Sequence, residues 1–138
     1  MAKDLFHQQV KEILVADGWT ITDDPYYIRS NNKIQYQIDL GAEKMIAAEK
    51  GAEKIAIEIK SFINESKVSD FHTAIGQYLN YKVGLLEVET ERILYLALPE
   101  DAYLYLWELP LVRKSIEFYD IKLIVYRIEK NNILLWRK

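Results

Sequence analysis

Between Ile34 and Lys60 apolar and polar residues alternate with the two-residue period of a β-strand. The run IQYQIDLG puts Ile34, Tyr36, Ile38 and Leu40 on one face and Gln35, Gln37 and Asp39 on the other. The run KIAIEIKSF sorts in the same way, with Ile55, Ile57 and Ile59 inward and Ala56, Glu58 and Lys60 outward. Two neighbouring strands of this kind present a polar face carrying Asp39, Glu58 and Lys60. Between them, Gly51 sits where a hairpin turn is expected, so that Met45 to Ala48 pairs with Ile55 to Lys60.

The other elements follow from the same patterning. Phe6, Val10, Ile13 and Leu14 fit the 3.6-residue period of a helix capped by Asp4 and ended by Gly18. Trp19 to Thr22 is extended, Asp23-Asp24-Pro25 is a turn, and Tyr26 to Arg29 is a strand turned at Asn31-Asn32. Phe62 to Ser69 is a loop with Ser66 or Ser69 as the next cap. The helix that follows runs to about Leu86, with Phe71, Ala74, Ile75, Tyr78, Leu79 and Lys82 as its stripe. Arg92 to Leu98 is a strand stopped by Pro99, and Ala102 to Trp107 is of undetermined type. Pro110 opens a helix through about Phe118. Ile121 to Ile128 and Ile133 to Trp136 form a closing hairpin around Asn131-Asn132. The sum is a single mixed α/β domain over residues 1–138 with a central sheet.

Composition narrows the class. Half of the 138 residues are hydrophobic and ten are tyrosines, which argues for a packed core and against disorder. There is no cysteine, so thiolate metal sites and disulfides are excluded, and a cytoplasmic location is expected. The longest apolar run, Ile93 to Leu98, is too short to cross a bilayer, and MAKDLFHQQ lacks the apolar core of a signal peptide. A net charge of −3 gives no global attraction to nucleic acid. Charge is uneven, however. Glu87, Glu89, Glu91, Glu100, Asp101 and Glu108 face only Arg92, whereas Lys122, Arg127, Lys130, Arg137 and Lys138 face only Glu129. The basic tail is the better candidate for touching DNA, and two solvated surfaces are the plainer reading.

Two carboxylates and a lysine at the mouth of a sheet can hold a divalent ion against a phosphate. An acid-x-Lys triplet alone means little, since Glu58-Ile59-Lys60, Glu65-Ser66-Lys67 and Asp120-Ile121-Lys122 all have it. Glu58 alone lies in a strand that follows another strand bearing an acid on its polar face. The competing reading of Glu58 and Lys60 is an ordinary surface pair on a half-exposed sheet. Downstream, AIGQYLNY places Gln77 and Tyr81 one helical turn apart on one face. His7 and His72 lie on helices and read as surface or capped histidines. Tyr78, Tyr95, Tyr103, Tyr105 and Tyr126 could stack bases, but read mainly as core or rim, and Trp136 as packing.

In the order strand-Asp, strand-Glu-x-Lys and helix with Gln-x-x-x-Tyr, the chain resembles the PD-(D/E)XK nuclease superfamily, its RecB-like branch above all. That resemblance implies a restriction-endonuclease-like fold with a central mixed β-sheet flanked by helices. It also implies Mg²⁺ or Mn²⁺ on Asp39, Glu58 and the Ile59 carbonyl, with Lys60 assisting the attacking water. Gln77 and Tyr81 would orient the site or contact substrate, and Glu12 is the candidate for a further acid from the first helix. One departure is Ile38, which stands where the motif has proline. The stretches DGWTITDDP, IDLGAEKMIAAEKG, KIAIEIKSF, GQYLNY and ALPEDAY further resemble the XisH family, whose members are named as controlling factors for excision of the fdxN element. This implies a bacterial protein of programmed DNA rearrangement, acting on DNA beside an XisI-like companion.

Three functions therefore stand open: a metal-dependent DNA endonuclease, a nuclease-derived module acting through a companion, and a plain interaction protein. For the first, Asp39, Glu58 and Lys60 converge on one open face of the sheet. For the others, an exposed apolar patch or a self-association surface is expected.

Overall fold

In a computed structural model, which describes residues 2–47 and 51–138, the chain folds in the order of its patterning. The elements are α1 (Ala2–Ala16), β1 (Thr20–Asp23), β2 (Tyr26–Ser30), β3 (Lys33–Ile38), β4 (Leu40–Ala47), β5 (Gly51–Ile59), α2 (Lys67–Val88), β6 (Ile93–Pro99), α3 (Glu100–Trp107), α4 (Pro110–Phe118), β7 (Leu123–Arg127) and β8 (Asn132–Arg137). Six strands form one mixed sheet in the order β1-β4-β5-β6-β7-β8, and β2-β3 form a separate two-stranded ribbon. The pairs β5-β6 and β6-β7 are parallel, and the outer pairs of the sheet are antiparallel. This is the expected α/β architecture of restriction-endonuclease-like form, with helices on both faces of the sheet.

Both faces are covered, and that overturns one expectation. On one side Val10, Ile13 and Leu14 of α1 pack with Trp19, Leu40, Ile55, Ile57, Tyr95 and Ile124. On the other, Phe71, Ala74, Ile75 and Tyr78 of α2 and Ala102, Leu106, Val112 and Ile116 of α3 and α4 cover Ala56, Leu94, Leu96, Leu98 and Leu123. Parallel strands with crossover helices are buried on both sides. The face of Ala56 and Glu58, expected to be open, therefore lies beneath α2, and Glu58 is only 5% exposed.

The strand alternation through Asp39 also breaks. Ile38 packs on the α2 side and Leu40 on the α1 side, because β3 ends and β4 begins at this residue. Ile34, expected inward, is exposed on the ribbon. The β4-β5 hairpin is present but in another register. Met45 faces Ala52, while Leu40, Gly41 and Ala42 face Ile57, Ala56 and Ile55. That register matches buried residue to buried residue, which a one-sided pattern did not resolve. Ala48, expected in the same strand, lies outside the described residues. Asp4 falls inside α1 rather than capping it. Ser66 caps α2, its hydroxyl accepting from the Ser69 N–H at 3.1 Å. Ala102 to Trp107 belongs to α3, with Glu100 and Asp101 in its positive-dipole first turn.

Arg92, the lone cation of the acidic stretch, is buried rather than solvated. Its Nη1 donates to the Ile55 carbonyl at 2.9 Å, and its Nε donates to Glu89 Oε1 at 2.8 Å. Glu89 also accepts from the Tyr26 hydroxyl at 2.6 Å, and the guanidinium lies 4.8 Å over the Tyr26 ring. The Arg92 hydrogen bonds hold the Glu89 carboxyl down to about 2. One side chain thus joins the end of α2, the ribbon and the central strand β5. Removing one partner of a buried ion pair strands the other. Arg92→Ala should lower the free energy of unfolding by about 3 kcal/mol or more, whereas Lys122→Ala, whose partner Asp120 is exposed, should change it by less than about 1 kcal/mol. Urea titration of the two variants against wild type checks this.

Candidate functional site

The site forms where the ribbon hands the chain to the sheet. Asp39 occupies the bend between β3 and β4, opposite the carboxyl end of β5, since Leu40 pairs with Ile57. Glu58, Ile59 and Lys60 are the last turn of pleat on β5 and its exit. The Ile59 N–H donates to Asp39 Oδ2 at 2.8 Å, and the Asp39 N–H donates to Glu58 Oε1 at 3.3 Å. Lys60 Nζ stands 3.4 Å from Glu58 Oε2, and its own N–H is tied to the Ala97 carbonyl of β6 at 2.9 Å. Asp39, Glu58 and Lys60 are therefore brought together, by reciprocal backbone-to-carboxylate bonds rather than on a shared open face. An ordinary surface pair is excluded by the burial of Glu58.

The electrostatics follow from that packing. Burial, then repulsion from Asp39, pushes the Glu58 carboxyl up to about 7, and the charge of Lys60 opposes the rise without cancelling it. Tyr81 joins from α2. Burial and the nearby charges of Glu58 and Asp39 raise its hydroxyl above the ordinary range. Its ring lies 5.4 Å from that of Tyr36. Gln77, one turn earlier, has its Oε1 buried without a hydrogen-bond partner. On the open side a pocket of about 180 Å³ is lined by Phe6, His7, Asp39, Ile59, Lys60 and Ser61.

The other expected residues stay apart. Glu12 is exposed on α1, and among the described residues no group of three or more His, Cys, Asp or Glu side chains gathers to hold a metal. The α1 residues at the pocket are Phe6 and His7, which the sequence marked as a position of the apolar stripe and a surface or capped histidine rather than as site residues. His7 is held by Asp24 at 2.7 Å, with Lys11 on the other oxygen at 2.6 Å. His72 is exposed on α2. Ser61 was detectable only as the neighbour of Lys60, and Tyr36 only by its alternation. Tyr78 is core, donating to the Leu94 carbonyl at 2.9 Å, and Trp136 packs on Trp19 and Tyr95.

The basic tail does not form one patch. Arg127 lies at the carboxyl end of the parallel strands, as Lys60 does, and it is paired with Glu100 at 3.3 Å. Lys122 and Arg137 lie at the opposite end of the strands, because β8 runs back to place Arg137 beside Leu123. Among the described residues no helix is long and apolar enough to cross a membrane.

The residues present fit a divalent cation in one respect: once Glu58 is ionised, above about pH 7, two neighbouring carboxylates, one of them buried, carry more negative charge than Lys60 balances. By architecture the chain is a restriction-endonuclease-like α/β domain. The family model described as XisH protein matches residues 1–134, and the chain belongs to the XisH family. It is similar to the crystal structure of an fdxN element excision controlling factor protein from Anabaena variabilis, with 39% identity, a TM-score of 0.85, and 98% of this chain and 99% of that one covered. It is likewise similar to an XisH family protein from Nostoc punctiforme PCC 73102, with 38% identity, a TM-score of 0.85, and coverage of 97% and 99%. No curated protein matches the chain.

The folded protein holds the Glu58 proton more tightly than the unfolded chain does, about 7 against 4.5. This carboxyl therefore contributes stability that is complete below pH 4.5 and is lost as the pH rises through 7. Glu58→Gln should flatten the pH dependence of the melting temperature across that window and raise the melting temperature at pH 8 without added metal. Thermal melts at closely spaced pH values check both effects, and an unchanged profile would show that Glu58 is not the titrating group.

Proposed function

We propose that this chain is a DNA-element excision controlling factor whose Asp39, Glu58 and Lys60 form a metal-dependent phosphodiesterase site of the PD-(D/E)XK type, acting as a DNA endonuclease. The observation that carries the reading is the buried Glu58 carboxyl set against Asp39 with only Lys60 to offset them. Structural carboxylates are seldom buried in repelling pairs without enough positive charge. The name of the Anabaena variabilis relative supports the excision role.

Asp39, Glu58 and the Ile59 carbonyl are the groups that would hold Mg²⁺ or Mn²⁺. When bound, such an ion neutralises phosphate charge and acidifies a bound water. The remaining work belongs to the chain. Lys60, fixed by its backbone bond to Ala97, holds its ammonium at the carboxylate pair, where it favours hydroxide over water. Tyr81 and Gln77, one turn apart on α2, would orient the site or contact the substrate, a role supported by the carboxylate charges acting on Tyr81 and by the buried, unpartnered Oε1 of Gln77. In hydrolysis the water gives up a proton as its oxygen bonds to phosphorus, the bond from phosphorus to the leaving sugar oxygen breaks, and that oxygen takes a proton from solvent.

A second reading is a nuclease-derived module that has kept the fold and acts through an XisI-like companion or as a homo-oligomer. Leu111 at 77% and Phe118 at 85% exposure on α4, with Leu104 exposed on α3, favour it.

Calorimetric Mg²⁺ and Mn²⁺ titrations at pH 8 separate the two. Asp39→Asn keeps an acceptor for the Ile59 N–H but should abolish the binding heat. Lys60→Ala should retain metal binding and slow DNA cleavage by roughly a hundredfold or more. Equal, negligible heats in wild type and both variants would leave only the companion-dependent module.

A further inference from the structure

The β2-β3 ribbon lies outside the six-stranded sheet and has two unlike faces. Tyr26, Ile28 and Ile38 are buried, with Tyr36 packed beside them, and the close approach of α2 at Gly84 fixes this face. A Cβ at Gly84 would meet Ile28 Cδ1 at 3.0 Å and Tyr36 Cδ2 at 3.2 Å. The other face carries Tyr27 opposite Gln37, with the Arg29 guanidinium 5.5 Å over the Tyr27 ring and Lys33 at the tip. All four side chains are exposed.

Its charge separates the ribbon from the rest of this acidic chain. From Tyr26 to Ile38 there is no Asp or Glu, while Arg29 and Lys33 are cationic and Asn31, Asn32, Gln35 and Gln37 are amides. A register shift after Ile28 leaves Gln35 as the extra residue of a bulge, a device that twists a ribbon and re-aims side chains. Guanidinium, ammonium and amide groups are those that contact phosphates and base edges. A two-stranded ribbon is also narrow enough for a major groove roughly 12 Å wide. The groove against α2 is lined by Arg29 and Gln35 as well as by the acid Glu87, which disfavours a phosphate inside it, while the Arg29 guanidinium, over the Tyr27 ring, also borders the outer row.

Position adds the second argument. β3 runs directly into Asp39, at the bend where the chain passes from the ribbon to the sheet, so the ribbon and the site adjoin. At roughly 3.3 Å per residue the tip stands about 20 Å from Asp39, a reach of about six base-pair steps. We propose that the outer face of the β2-β3 ribbon, with Tyr27, Arg29, Lys33 and Gln37, is a duplex-DNA contact surface that seats the substrate with its phosphate backbone at Asp39 and Lys60. The proposal rests on the reading of that site as acting on DNA, and it assigns to the ribbon the recognition that the divided basic tail does not supply.

The full chain is tested by fluorescence anisotropy on a labelled DNA duplex, with Ca²⁺ in place of Mg²⁺. The Arg29→Ala/Lys33→Ala variant should bind roughly tenfold or more weakly near 0.1 M salt, and the slope of log affinity against log salt should fall by about 2. Lys122→Ala/Arg137→Ala, at the opposite end of the strands, should bind as wild type does. Wild type that binds no duplex, or a ribbon variant with unchanged affinity and salt slope, overturns the proposal. So does a ribbon variant whose only defect is lost self-association by light scattering, since the face would then contact protein. Mg²⁺ calorimetry on the same proteins keeps the two readings distinct. Normal metal heats with an indifferent ribbon sink the ribbon alone. A weakened ribbon variant in a chain that binds no metal sinks the phosphodiesterase site alone.

Discussion

Arg92 is where the layers of this protein are joined. Its guanidinium bonds to the backbone of β5, to Glu89 at the end of α2, and stacks over Tyr26 of the ribbon. A buried cation is tolerated only when its donors are matched, and here the matching groups come from separate elements. The ribbon and α2 are thereby held at the distance that Gly84 permits. Tyr36, packed against Gly84, lies beside Tyr81, and Tyr81 in turn feels the charge of the two carboxylates. The site depends on this junction although no atom of Arg92 belongs to it.

At the site the same physics is used in the opposite sense. Arg92 and Glu89 satisfy each other, and Glu89 is strongly acidic as a result. Glu58 is buried beside a like charge, and its affinity for a proton rises. Two acids in one fold, each with a cation nearby, are driven in opposite directions by what else they face. The reciprocal backbone bonds between Asp39, Glu58 and Ile59 hold the repelling carboxylates in place.

Much of this was legible in the sequence. Elements with a clean period or cap appeared as expected, among them α1, α2 with Ser66, and the closing hairpin. The grouping of Asp39, Glu58 and Lys60 was legible from alternation and order. What alternation could not reveal was burial on the second face. Ala56 and Glu58 look outward when β5 is read by itself, and only the crossover helix α2 covers them. The switch of sides at Asp39 was hidden for a similar reason, since Ile38 and Leu40 both look apolar whichever layer receives them. The isolated Arg92 among acids was visible as a charge anomaly, yet its burial is a tertiary fact. Phe6 and His7 at the pocket carry no local signal, because α1 meets the site only through the packing of the sheet.

The order of strand pairing has a consequence for how the molecule comes into being. Asp39 and Glu58 are joined by an antiparallel hairpin, the most local connection a sheet offers. Tyr81, Gln77 and the Ala97 carbonyl that fixes Lys60 arrive only with the crossover through α2 to the parallel strand β6. Local contacts form early and parallel pairings late. The repelling pair is thus the part of the site with the shortest loop to close, and its enclosure requires the longer crossover. Neither the lysine anchor on β6 nor the tyrosine on α2 lies within the hairpin that joins the two acids. The complete site therefore draws on α1, the hairpin, α2 and β6 together.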